Sequence, residues 1–267
     1  MTTTTTYRDR VELDVNVGSA TLTLAREKAG NSLDLDMARA LLEGVSSVSE
    51  KVGAREVRCV ILKARGPMFC VGGDLQHFAD APDRSVRMRE VATAMAEALT
   101  ALSRLPVPVI SVVTGTAAGG GVGVALAADI VIVGPTTRFK MAYTAAGLSP
   151  DCGATLELVR RTGLARALDL VLTDRLIDGV EAERLGLATT VAEEPEATAT
   201  GLAAQFVRGS FDAYANSKQL LRSHQAMTQD QDQRLAAEVE AIAELVSSPD
   251  GIEGVNAFLA KRSPEFR

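Results

Sequence analysis

The sequence predicts an α/β fold, and three observations carry that expectation. Short apolar runs at residues 20–24, 57–62, 107–113 and 130–133 have the length and branched composition of buried strands. Stretches of helical pattern, such as 91–103 and 124–129, lie between and after them. Two of the runs lead into glycine-containing turns, as strands do when they hand over to helices. With 267 residues, 46% of them apolar, the chain can bury one large core, or a core with a helical extension.

Taken in order, residues 1–6 are a polar threonine tract without the apolar centre of a signal peptide. No later stretch reaches the roughly 18 apolar residues of a membrane span, so a cytoplasmic protein is expected. The runs 20–24 and 57–62 are the first two strands, and the second leads into a turn around Gly72 and Gly73. The helix 91–103 precedes the strand 107–113, which feeds Gly119-Gly120-Gly121-Val122-Gly123 and a helix-like segment at 124–129. After the strand 130–133, a short helix is expected at 156–161. Residues 217–259 are helical in pattern, with Leu220, Leu221, Met227, Leu235, Ala236, Val239, Ala241 and Leu245 forming an apolar stripe. Such a tail needs a surface to bury it, either its own core or another subunit.

The glycine run carries the first chemical signal. A strand that passes through glycines into a helix leaves backbone N–H groups unpaired at the helix start, where the helix dipole favours negative charge. A phosphate-cradling loop would end in Gly-Lys-Ser/Thr, but no lysine lies between Lys63 and Lys140. A dinucleotide fingerprint would need a third glycine, and Gly119 and Gly121 are followed by Val124. What remains is an oxyanion hole, or simply close helix-to-sheet packing. The turn at 71–75 supplies a second strand-to-loop junction, so two N–H groups can converge on one oxygen.

Charge and side-chain inventory narrow the alternatives. A net charge of −6 disfavours nucleic acid as a partner. The three cysteines lack metal-site spacing: Cys59 falls in a strand core, and Cys70 and Cys152 have no nearby histidine to activate them. His77 and His224 are far apart, which argues against a histidine-based metal site.

Four segments together resemble the crotonase, or enoyl-CoA hydratase/isomerase, superfamily. Leu24-Ala25-Arg26-Glu27-Lys28-Ala29-Gly30-Asn31-Ser32-Leu33 is similar to that family's LNRP-x-x-x-NAL segment, with Glu27 where proline is usual. Phe69-Cys70-Val71-Gly72-Gly73-Asp74-Leu75 resembles its F-C-A-G-x-D-L loop, and Gly115-Thr116-Ala117-Ala118-Gly119-Gly120-Gly121 its G-x-A-x-GGG loop. Leu172-Thr173-Asp174, followed by residues 181–187, resembles its LTG and A-x-x-GLV stretch. The resemblance implies a spiral of repeated ββα units over residues 1–200, holding the acyl-CoA site. It also implies a helical trimerisation region at 201–267, in a homotrimer or dimer of trimers.

Carried over by position, the resemblance makes the amides of Gly73 and Gly120 the oxyanion hole for a thioester carbonyl. It places Arg26, Lys28 and Val71 near the CoA, with Phe258 and Lys261 reaching a CoA from a neighbouring domain or subunit. Read alone, Lys28 is a solvated charge. Leu75, Phe78, Met141, Tyr143 and Leu148 are expected to wall the acyl pocket. Neither a metal nor a separate cofactor is implied, since CoA arrives as part of the substrate.

The acid/base residues depart from the hydratase pattern. Hydratases carry one glutamate two residues after the GGG run and another after F-x-x-P, and here those positions are Gly123 and Tyr143. One carboxylate remains nearby, Asp151 in Gly147-Leu148-Ser149-Pro150-Asp151-Cys152-Gly153, a phrase resembling the branch of 1,2-epoxyphenylacetyl-CoA isomerases of phenylacetate degradation. Asp ahead of a helix is also a good N-cap, a role usually worth about 1 kcal/mol. The expectation is an isomerase with Asp151 as acid/base. The alternatives are an enoyl-CoA hydratase and a catalytically impaired acyl-CoA-binding homologue. A 4-chlorobenzoyl-CoA dehalogenase fits less well, because residues 91–103 contain no histidine and the chain no tryptophan.

Overall fold

The computed structural model describes residues 3–222 and, further along, 249, 253, 257, 262 and 264–266. The β-branched threonine side chains suit a pleated ribbon, and Thr3–Tyr7 forms strand β1, paired antiparallel with β2 (Val11–Asn16). Strand β3 (Gly18–Leu24) completes this meander. Helix α1 (Leu35–Gly53) follows, N-capped by the Asp34 carboxylate, which accepts from the Met37 N–H at 2.7 Å.

From β3 onward the large sheet is parallel. Strands β4 (Val57–Ala64), β5 (Val109–Val113), β7 (Ile130–Val133) and β10 (Thr190–Val191) extend it, giving the order β1-β2-β3-β4-β5-β7-β10. The four apolar runs of the sequence are β3, β4, β5 and β7. They read as continuous runs because both faces are covered. Val60, Leu62, Val109 and Val113 point into the main core, while Cys59, Ile61, Ile110, Val112 and Ile132 pack under helix α8 (Pro195–Arg208) with Ala199 and Ala203.

A second layer repeats the pattern on a smaller scale. Strand β6 (Thr116–Ala118) pairs with β8 (Arg138–Lys140), which pairs with β9 (Ile177–Asp178). Single bridges Leu33 to Gly73 and Cys70 to Ala117 continue the ladder toward the N-terminal side. Successive passes of the chain thus lay a strand in the large sheet, then a short extended piece in the small one, then helix. This is the predicted ββα spiral.

The remaining helices are α2 (Leu75–Ala79), α3 (Arg84–Arg104), α4 (Gly120–Leu126), α5 (Ala154–Thr162), α6 (Leu164–Thr173), α7 (Gly179–Leu185) and α9 (Phe211–Arg222). Helix α8 runs through residue 200 and covers the sheet, so it joins the two predicted regions instead of separating them. Helix α9 is tied to the core by Asp129, which pairs with Lys218 at 2.7 Å and Arg222 at 2.8 Å. The stripe residues after Leu221 lie outside the described residues. No helix among the described residues is long and apolar enough to cross a membrane.

Candidate active site

Two backbone turns meet at the C-terminal ends of β4 and β5. The first is locked in place by buried hydrogen bonds. Asn31, fully buried, accepts from the Arg26 N–H at 2.8 Å and donates to the carbonyls of Arg65 and Met68 at 2.9 and 2.8 Å. The N–H groups of Phe69 and Cys70 both donate to the Thr116 carbonyl. The Leu33 bridge uses the Gly72 carbonyl and the Asp74 N–H, which leaves the Gly73 N–H outside the ladder.

The second turn opens α4, which begins at Gly120, four residues before the expected start at 124. Gly120 is therefore in the first turn, where an N–H has no intrahelical acceptor. Gly72, at φ +91°, allows the two turns to touch. A Cβ there would sit 2.9 Å from the Ala118 carbonyl oxygen and 3.3 Å from the Gly120 nitrogen.

Asp151 lies against the same turn. A Cβ on Gly120 would be 3.4 Å from Asp151 Oδ1 and 3.1 Å from Cys152 Sγ. The N-cap role is not the one Asp151 plays: the cap residue of α5 is Gly153, at φ +74°, and no side chain caps the helix. Instead Asp151 Oδ1 accepts a hydrogen bond from the Tyr143 hydroxyl at 2.9 Å. Burial, followed by the charge of Asp151, pushes the Tyr143 hydroxyl well above its ordinary range, so it stays protonated and donates. The same two causes raise the Cys152 thiol, and burial raises Cys70 to about 12. Both thiols are neutral near pH 7 and unsuited to nucleophilic work.

These groups surround a cavity of about 300 Å³ between the two turns, α2, α3 and the 142–152 segment. Gly73, Gly120, Asp151, Val71, Leu75, Tyr143 and Leu148 all line it, as does Phe78. Met141 does not: it is 1% exposed and packs in the core, while Ala142 faces the cavity. A wall the sequence reading did not assign comes from α3, through Met88, Val91, Ala92 and Met95. Their spacing of three and four residues was the available signal. A larger cleft of about 510 Å³, lined by Arg104, Arg160, Lys218 and Arg222 among others, contains neither glycine turn.

The cations divide. Arg26 is turned inward, pairing with Asp74 at 2.7 Å and Asp34 at 3.3 Å and donating to Ser32, so it braces the turn that carries Gly73. Burial alone would raise the Asp74 carboxyl, but the Arg26 hydrogen bond and the His77 N–H outweigh it and hold it below its ordinary range. Lys28 is exposed and has no ion pair among the described residues. Phe258 and Lys261 lie outside them. The His77 ring packs edge-on against Phe78, and no cluster of His, Cys, Asp or Glu among the described residues is arranged to hold a metal.

The enzyme family follows from comparison. The model of the family "Enoyl-CoA hydratase/isomerase" matches residues 14–267. The chain belongs to this family. A relative in Escherichia coli, 1,2-epoxyphenylacetyl-CoA isomerase, is 34% identical over 259 residues, covering 94% of this chain and 96% of its own. A Rhodobacter capsulatus protein named "Probable enoyl-CoA hydratase" is also 34% identical, over 96% of this chain and 97% of its own. The crystal structure of an enoyl-CoA hydratase from Polaromonas sp. JS666 superposes with a TM-score of 0.88 at 29% identity, covering 97% of this chain and 100% of that one. This hydratase/isomerase-family enzyme thus has relatives of both reaction types. Its own acid/base groups must decide between them.

Proposed function

We propose that this enzyme is an acyl-CoA isomerase that shifts a double bond, or rearranges an epoxide, through a thioester enolate, with Asp151 as acid/base. The observation that carries this is the single carboxylate. Among the described residues lining the cavity, Asp151 alone is an acid, and it lies beside the Gly120 turn. Of the two positions where hydratases resembling this chain keep glutamates, one is Gly123 and the other is Tyr143.

The chemistry needs only these parts. The thioester oxygen sits between the N–H groups of Gly73 and Gly120, and Asp151 takes a proton from the α-carbon of a β,γ-enoyl thioester. The electron pair moves to the thioester oxygen as an enolate. Its return forms the α,β double bond while the β,γ pair takes the proton from Asp151 at the γ-carbon. Proton and electron pairs balance without water. Lys28 serves the CoA phosphates, Phe258 and Lys261 reach the CoA from a neighbouring domain or subunit, and the reaction runs in the cytoplasm without metal or separate cofactor.

The test compares isomerisation of a 3-enoyl-CoA with hydration of crotonyl-CoA by the same preparation. Isomerisation is expected to dominate. Faster hydration overturns the reading. If neither reaction occurs and no solvent deuterium enters the α- or γ-carbon of bound enoyl-CoA, the protein is an acyl-CoA binder instead.

Trimer assembly is part of the proposal. Leu164, Leu168 and Leu172 recur every fourth residue on α6 and are 62%, 47% and 69% exposed, beside Leu176 and Val180. Such a stripe suits a subunit contact. The double substitution Leu168→Glu with Leu172→Glu is expected to yield monomers by sedimentation. An unchanged assembly mass would show that this face is not the contact.

A further inference from the structure

The Tyr143 hydroxyl is placed too well to be only a pocket wall. Its ring is 6% exposed, and its backbone is fixed on both sides. The Tyr143 carbonyl accepts from the N–H groups of Ala146 and Leu148, both at 3.0 Å. Just before it, the Ala142 N–H donates to Asp174 Oδ1 at 2.5 Å, and Lys140 Nζ lies 3.4 Å from Asp174 Oδ2. Asp174 stands where the resembling family motif has glycine, and it holds the left-handed conformation that glycine would favour, with φ +50°. A rigid segment therefore presents one hydroxyl to Asp151, 2.9 Å from Oδ1 and 3.4 Å from the backbone carbonyl oxygen, with the shorter contact to the carboxylate.

The surroundings make that hydroxyl decisive. The titratable groups facing Asp151 are Tyr143 from the 142–148 segment, its neighbour Cys152, and Cys70 from the first turn. No arginine, lysine or histidine lines the cavity among the described residues. A carboxylate left in such an apolar pocket would have no charged partner to fix its rotation. Thiols are weak donors, so the phenol supplies the strong hydrogen bond.

We propose that Tyr143 is a positioning residue for Asp151: its hydroxyl pins Oδ1, leaving Oδ2 as the one atom that takes the proton from the substrate and returns it. This rests on the reading of Asp151 as the base. Fixing one oxygen aims the other over both carbons, so the same atom serves both half-reactions. The phenol also fills space in which a hydratase would keep its second carboxylate.

Tyr143→Phe keeps the ring and removes the donor. Its kcat is expected to fall roughly 10- to 100-fold, with KM changed less than about twofold. Because a freely turning carboxylate loses its proton to solvent before returning it, the share of α-deuterium delivered to the γ-carbon should also fall. Site-specific 3-fluorotyrosine at position 143, a more acidic and stronger donor, should raise that share, and it serves if the phenylalanine variant folds poorly. An unmoved share in both, with Asp151→Asn inactive, overturns the role of Tyr143 while leaving the isomerase reading intact. A fall in kcat with an equal rise in KM and no change in that share makes Tyr143 merely structural. Turnover surviving in Asp151→Asn sinks the underlying reading itself.

Discussion

Asp151→Asn is expected to lose isomerase turnover by roughly a thousandfold or more, while melting within a few degrees of the parent and binding a non-reactive acyl-CoA analogue with similar affinity. General acid–base groups typically contribute 10²- to 10⁴-fold, and here one group serves both proton transfers. Asparagine keeps the volume of the side chain, and its amide oxygen still accepts from the Tyr143 hydroxyl, now 2.9 Å from Oδ1. The helix loses nothing, because Gly153 and not Asp151 is the cap residue of α5. The backbone carbonyl of Asp151, which accepts from the Ala154 N–H at 2.9 Å, is untouched. The variant thus separates chemistry from scaffold. The measurement is kcat on a 3-enoyl-CoA beside thermal melting and analogue titration. Normal turnover would remove Asp151 from the mechanism, and a large drop in melting temperature would return it to a structural role.

What could be read in the sequence follows from how each part is stabilised. The parallel strands were visible because burial on two faces leaves an uninterrupted apolar run, as in Val109 to Val113. Both glycine turns were visible because close approach of two backbones demands glycine: a Cβ on Gly72 would lie 2.9 Å from the Ala118 carbonyl oxygen, and one on Gly121 would meet the Cys70 carbonyl. Local capping rules failed at Asp151, because the left-handed Gly153 intervenes and turns the carboxylate into the cavity. The Tyr143 to Asp151 bond joins residues eight apart across an irregular segment, and no periodicity reports such a pair. The ion pairs of Arg26 were equally invisible in the sequence. The family resemblance places Arg26 near the CoA, but Asp34 and Asp74 come from separate parts of the chain to pair with it. Met141, expected in the pocket wall, packs in the core just past the end of β8, where Ala142 takes a positive φ of 57° and lines the cavity instead.

The hydratase glutamate cannot be restored at position 123 by a single substitution. Gly123 is buried inside α4, and a Cβ built there would lie 2.3 Å from the Cys152 carbonyl oxygen, 2.8 Å from Cys152 Cβ and 3.0 Å from its carbonyl carbon. Two of those three atoms are backbone, so no rotamer change relieves the clash. The segment carrying Asp151 and Cys152 itself fills the space that a glutamate would use. Overpacking of this kind typically costs 1–3 kcal/mol, and a buried carboxylate without a partner adds several more. Gly123→Glu should therefore melt at least about 10 °C lower, given the 2–4 °C per kcal/mol usual for chains near this size, or fail to accumulate as folded protein. Crotonyl-CoA hydration should not rise above the parent's. Gly123→Ala separates the two causes, since it carries the clash without the charge and should show roughly half of the drop. Placing a glutamate at Tyr143 as well supplies the second carboxylate but leaves the Cys152 backbone where it is, so the pair should still not hydrate. If Gly123→Glu folds at the parent temperature and gains hydratase turnover, then the 151–153 segment yields readily. The absence of a second acid would then be a matter of one residue and not of how this site is built.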